Sequence, residues 1–122
     1  MKISRLLVFL GIIALLAMVV ACASSGKVQP IGNASGNATG TAMGFGGNVA
    51  VTITMEDGFI TNVEVDARFE TQAIAGAAIS RGTTLIKENN SAQFDAVSGA
   101  TITSTAIREA AQAAIDQIVE GN

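Results

Sequence analysis

The stretch Asn48-Val49-Ala50-Val51-Thr52-Ile53-Thr54-Met55-Glu56-Asp57-Gly58-Phe59-Ile60-Thr61-Asn62-Val63-Glu64-Val65-Asp66 decides the fold. Val49, Val51, Ile53 and Met55 alternate with Ala50, Thr52, Thr54 and Glu56, the period of a strand with one buried face. Glu56-Asp57-Gly58 then supplies turn chemistry, and Asp-Gly is a strong hairpin signal because both residues tolerate positive φ. Beyond it, Thr61, Val63, Val65, Ala67 and Phe69 alternate with Asn62, Glu64, Asp66 and Arg68. The two runs are expected to pair antiparallel, one face buried and one wet. Ile60 is out of phase with the second run, which predicts a bulge or turn irregularity near Gly58.

Downstream the period changes. Ala73, Ile74, Ala77, Ala78, Leu85 and Ile86 fit a helix over 73–87, interrupted near Arg81-Gly82. Glu88-Asn89-Asn90-Ser91 reads as a polar loop, and Phe94 and Val97 as a short strand around Asp95. The clearest helix comes last. Ile107, Ala111, Ala114, Ile115 and Ile118 form one apolar stripe, Thr103 or Ser104 is the expected N-cap, and Gly121 ends it. Phe45, Phe59, Phe69 and Phe94 are assigned to the core, and Arg68 and Glu70 to solvated strand faces. The fold class expected is α+β: a small antiparallel sheet built on a hairpin, with helices packed on one face. The folded domain spans 48–122, a core small enough to gain from a bound cofactor.

Upstream, Lys2 and Arg5 precede an almost unbroken apolar run from Leu6 to Val20. A run this short, ending in small residues, reads as an export signal rather than a spanning helix. Val19-Val20-Ala21-Cys22 resembles the lipobox of bacterial lipoproteins, which implies a signal peptide over 1–22 and lipidation of Cys22. An ordinary signal peptide or an uncleaved anchor remain the alternatives. The segment 23–47, rich in Gly, Ser, Asn and Thr, reads as a flexible tether or plain spacer.

Composition narrows the chemistry. The chain has no His and one Cys, Cys22. Imidazole catalysis and His-ligated metals are thereby excluded, and a lipidated Cys22 would leave no thiolate. Without Lys2 and Arg5, five basic residues face ten acidic ones. That balance opposes nucleic acid as a partner. Autonomous catalysis is not expected. The composition suits a carrier whose reactivity comes from a cofactor.

The site signal lies in Asp95-Ala96-Val97-Ser98-Gly99-Ala100-Thr101-Ile102-Thr103-Ser104-Thr105, just before the last helix. Unpaired N–H groups at a helix N-terminus and the macrodipole favour a phosphate there. Ser98-Gly99-Ala100 would allow a bulky ligand close to the backbone, and Thr101 offers a hydroxyl at the same place. Asp95 is either a turn carboxylate or part of how the loop is presented to a metal-using enzyme.

The run Asp95-x-x-Ser98-Gly99-Ala100-Thr101 resembles the flavinylation motif of the FMN-binding domain family. That family includes the C subunit of sodium-translocating NADH:quinone reductase and the G subunit of the Rnf complex. Gly44-Phe45-Gly46-Gly47, the Asp57-Gly58 hairpin and the pair Glu70-Thr71 extend the likeness. The resemblance implies FMN linked through its phosphate to Thr101, attached in trans by a flavin transferase that uses FAD and Mg²⁺. It places Ser98, Gly99, Ala100, Asp95, Thr103, Glu70 and Thr71 with Thr101 around the cofactor. It implies an extracytoplasmic, membrane-anchored redox carrier rather than a complete enzyme. Its expected partners are a membrane-bound dehydrogenase or quinone-linked reductase and an extracytoplasmic electron acceptor. A noncovalent flavin-binding lipoprotein and a structural surface lipoprotein are the competing readings.

Overall fold

The computed structural model describes residues 27–122. The expected export signal over 1–22, including Cys22, lies outside the described residues. Three strands, β1 (Gly36–Met43), β2 (Asn48–Glu56) and β3 (Phe59–Asp66), precede two helices, α1 (Gln72–Asn89) and α2 (Thr101–Glu120). The sheet is antiparallel in the order β1-β2-β3, and both helices pack against it, an α+β fold. No helix among the described residues is long and apolar enough to cross a membrane.

The central strand carries the alternation seen in the sequence. Val49, Val51, Ile53 and Met55 are all buried, and α2 covers them with Ile107, Ala111, Ala114, Ile115 and Ile118. Asp57 and Gly58 both take positive φ in the tight turn to β3. The predicted irregularity is there. Met55 pairs with Ile60 and Thr54 with Asn62, so Thr61 is the extra residue and turns outward, while Ile60 is buried.

Strand β1 corrects the expectation of a tether over 23–47. Up to the exposed Met43 its residues, Gly-Asn-Ala-Thr-Gly-Thr-Ala, are small or polar, and helix α2 runs across the strand. A Cβ on Gly40 would collide with the carbonyl oxygen of Ala110 and lie 2.8 Å from the Ala114 nitrogen. The glycine lets two backbones touch. On the other face, Thr39 and Thr52 share a hydroxyl hydrogen bond of 2.8 Å, and Asn37 donates to Thr54 Oγ1. Order reaches further back still, since Ile31 N–H donates to the Gly58 carbonyl and Gly58 N–H to that of Ala34.

Three other expectations change. Helix α1 runs through Arg81-Gly82 without a break, because Gly82 is the socket for the Phe94 ring: a Cβ there would sit 2.9 Å from Cζ. Residues 93–97 form an irregular segment, not a strand. Of the four phenylalanines assigned to the core, Phe94 is buried, while Phe45, Phe59 and Phe69 are 77%, 43% and 63% exposed. Asn90, in the left-handed conformation after α1, stitches the hairpin to the rest. It donates to the carbonyls of Gln29 and Gly58 and accepts from Ile60 N–H at 2.7 Å.

Candidate functional site

Helix α2 begins at Thr101, two or three residues before the expected cap at Thr103 or Ser104. The residue preceding it is Ala100, and no side chain caps the helix. Thr103 and Ser104 are buried in its first turn and serve other purposes. The Ser104 hydroxyl donates to the Ala100 carbonyl at 2.7 Å and accepts from Val97 N–H at 3.1 Å. It therefore fixes the Val97–Ala100 turn that presents Thr101. Arg108 braces the same segment from below, donating to the Phe94 carbonyl and to Thr105 Oγ1, both at 3.1 Å. Its guanidinium lies 5.9 Å from the Phe94 ring centroid, within range of a cation–π contact.

Beside this helix start lies a cavity of about 330 Å³, lined by Phe45, Glu70, Thr71, Ile74, Gly99, Ala100, Thr101, Ile102 and Thr103. Three elements supply it: the β1–β2 loop, the β3–α1 junction and the N-terminus of α2. Six of the eight residues that the motif and resemblance singled out are brought together here. These are Thr101, Gly99, Ala100, Thr103, Glu70 and Thr71. Ser98 stands exposed on the turn and does not line the cavity. Asp95 faces a separate polar depression with Arg81 and Arg108.

Glu70 is not a solvated strand residue. Only 6% of it is exposed, beyond the end of β3 in a turn where its N–H donates to the Ala67 carbonyl. Its Oε2 accepts from the Thr103 hydroxyl at 2.6 Å, and its Oε1 from Gly46 N–H at 2.9 Å. Burial pushes the carboxyl up. The Thr103 hydroxyl and the N–H groups of Gly46, Gly47 and Phe45 outweigh that and hold it below the usual carboxylate range. The loop Gly44-Phe45-Gly46-Gly47 can close on this carboxylate because it lacks side chains where it would clash. A Cβ on Gly44 would strike Glu70 Oε1, and one on Gly46 the Phe69 carbonyl. Glu70 thus ties the β1–β2 loop to the first turn of α2 and leaves Phe45 at the mouth of the cavity.

Ile74, Ile102 and Phe45 complete the apolar lining, and each is more than half exposed. Sequence reasoning did not place them here. Ile102 lies off the apolar stripe of α2, and only its exposure beside Thr101 marks it. The cavity suits a largely apolar ligand that carries a phosphate. It falls within the ~300–1,000 Å³ common for small-molecule sites, its walls are apolar, and the uncapped helix end opens onto it with no acidic residue in the first turn. Gly99, at φ +81°, has nothing within 4 Å of where a Cβ would stand, so the approach to Thr101 is open. Among the described residues no cluster of three potential metal-ligating side chains occurs.

Fold and site together define a small α+β binding domain with an apolar cavity at a helix N-terminus. The family model described as the FMN-binding domain matches residues 44–116. The chain belongs to the FMN-binding domain family. It is 32% identical over 87 residues to a Vibrio harveyi protein named NADH:acrylate oxidoreductase, a match covering 71% of this chain and 9% of that protein. The chain therefore corresponds to a small part of that relative's length. In fold it is similar to a Clostridium perfringens protein of known crystal structure. The TM-score is 0.58 and the identity 19%, over 73% of this chain and 91% of the other.

Proposed function

We propose that this protein is an exported, membrane-anchored electron-transfer flavoprotein carrying FMN joined through its phosphate to Thr101. The observation that carries this reading is the position of Thr101. It is the exposed first residue of α2, at the rim of an apolar cavity, within the region that matches the FMN-binding domain. In the attachment step the Thr101 hydroxyl oxygen attacks the flavin-side phosphorus of FAD. An O–P bond forms, the diphosphate bond breaks, AMP leaves, and the hydroxyl proton passes to a base of the transferase. That base and the Mg²⁺ that steadies the phosphoryl charge come from the transferase, since this chain has no His.

When bound, the flavin supplies one- and two-electron chemistry. The chain's residues hold and orient it. The α2 N-terminus receives the phosphate, Phe45, Ile74 and Ile102 offer apolar contact to the ring, and Glu70 with Thr103 fixes the wall between them. The exposed apolar rim lets a redox partner come close. The similarity to part of a protein named NADH:acrylate oxidoreductase supports a redox role. Partner chains then provide the donor, a membrane-bound dehydrogenase or quinone-linked reductase, and the extracytoplasmic acceptor. Cys22 provides the lipid anchor in this reading.

Intact-mass measurement of protein co-expressed with a flavin transferase tests it, beside a Thr101→Ala control. The expected result is a mass increase of FMN less one water, mapped to the Thr101 peptide and absent from the control. Yellow protein that loses its colour on denaturation would replace this reading with noncovalent binding. Colourless, unmodified protein would leave a structural lipoprotein.

A further inference from the structure

Glu70 is the one ionisable side chain among the residues lining the cavity. Its partners there are neutral: the Thr103 hydroxyl and the Gly46 amide. The nearby Arg68 is occupied on the surface by Asp66, its Nη2 bonding Oδ2 at 2.6 Å. Neutral donors stabilise a carboxylate without cancelling its charge. The cavity wall therefore carries a fixed negative charge in a largely apolar setting, where electrostatic interactions are screened less than in water.

We propose, resting on the FMN reading, that Glu70 sets the redox potential of the bound flavin by opposing its reduction. Two electrons from a donor, accompanied by fewer than two protons, add net negative charge to the ring. A carboxylate in the same cavity wall raises the free energy of that product relative to the oxidised form. The potential falls, and the carrier becomes a stronger reductant toward its acceptor.

Glu70→Gln isolates the charge. The amide keeps the shape: its oxygen accepts from Gly46 N–H, and its nitrogen donates to Thr103 Oγ1, which can also accept. Full-length wild type, Glu70→Gln and Glu70→Asp are co-expressed with a flavin transferase and titrated anaerobically in a spectroelectrochemical cell. Glu70→Gln is expected to favour the reduced form about tenfold or more, a rise of about 30 mV for a two-electron couple. Glu70→Asp keeps the charge and stays closer to wild type. Equal potentials for wild type and Glu70→Gln overturn the proposal, as does an equal rise in both variants. A Glu70→Gln protein that loses its cooperative melt or accepts no flavin also overturns it, since the carboxylate would then serve assembly. Wild type that carries no flavin brings down the underlying FMN reading, a result visible before any variant is titrated.

Discussion

Strand β1 and the turn leading into α2 are both built from small residues, yet their glycines do opposite work. In β1, Gly40 is pressed against the α2 backbone at Ala110 and Ala114, so its missing side chain is a packing requirement. In the turn, Gly99 faces open space at φ +81°, so its missing side chain leaves a route to Thr101. One glycine closes a gap and the other keeps one open. Composition treats the two segments alike. What separates them is whatever stands opposite.

Substitutions should divide along that line, and the largest effect is expected at Gly40. Gly40→Val would force α2 off the sheet and cost about 4 kcal/mol or more, enough to abolish the cooperative thermal transition. Retention of a wild-type melting temperature would show that β1 does not hold α2. Ile53→Ala, in the large-residue strand β2, is expected to cost about 3 kcal/mol in urea unfolding through lost burial and a residual cavity. A loss larger than that of Gly40→Val would reverse the ranking of the two strands.

Next comes the acid response of the cavity wall. The Glu70 carboxyl lies below its ordinary value in the folded protein. Its contribution is therefore complete above the unfolded pKa and declines as pH falls through the folded one. The melting temperature should hold from neutrality to about pH 5 and drop below it, with a shallower drop in Glu70→Gln. Identical acid profiles would remove Glu70 from the account.

At Gly99 the sharper contrast appears. Gly99→Ala is expected to cost only about 1 kcal/mol, from placing a Cβ at positive φ. Flavin attachment, read by intact mass, should fall by much more than that stability loss explains. Full attachment would mean that the open space beside Thr101 has no role in access. The smallest effect belongs to the outer face of β1, where Thr39→Ala should cost a few tenths of a kcal/mol by removing the cross-strand bond to Thr52.

The hairpin of β2 and β3, its bulge near Ile60 and the stripe of α2 were legible in the sequence because each is a local signal. Alternation, Asp-Gly and 3-, 4- and 7-residue spacings act on neighbouring residues and need no knowledge of the rest of the chain. The motif around Thr101 was legible for a similar reason, being a short contiguous run. The start of α2 was less so: hydroxyls at 103 and 104 looked like caps, but tertiary contacts drew them inward, to Glu70 and to the Val97–Ala100 turn.

By itself the sequence determined the fold class, the central hairpin, the last helix and the loop that carries Thr101. Only the tertiary structure decided that Gly36–Met43 is a strand, that Gly82 receives Phe94, that Phe45 stands at the cavity mouth and that Glu70 is buried in its wall. The physical reason is shared by all four. A small residue, an aromatic ring or a carboxylate takes its role from the partner across the gap. Those partners lie 12 to 82 residues away, between Gly82 and Phe94 at one extreme and Gly36 and Ile118 at the other. No window of sequence brings them together before the chain folds.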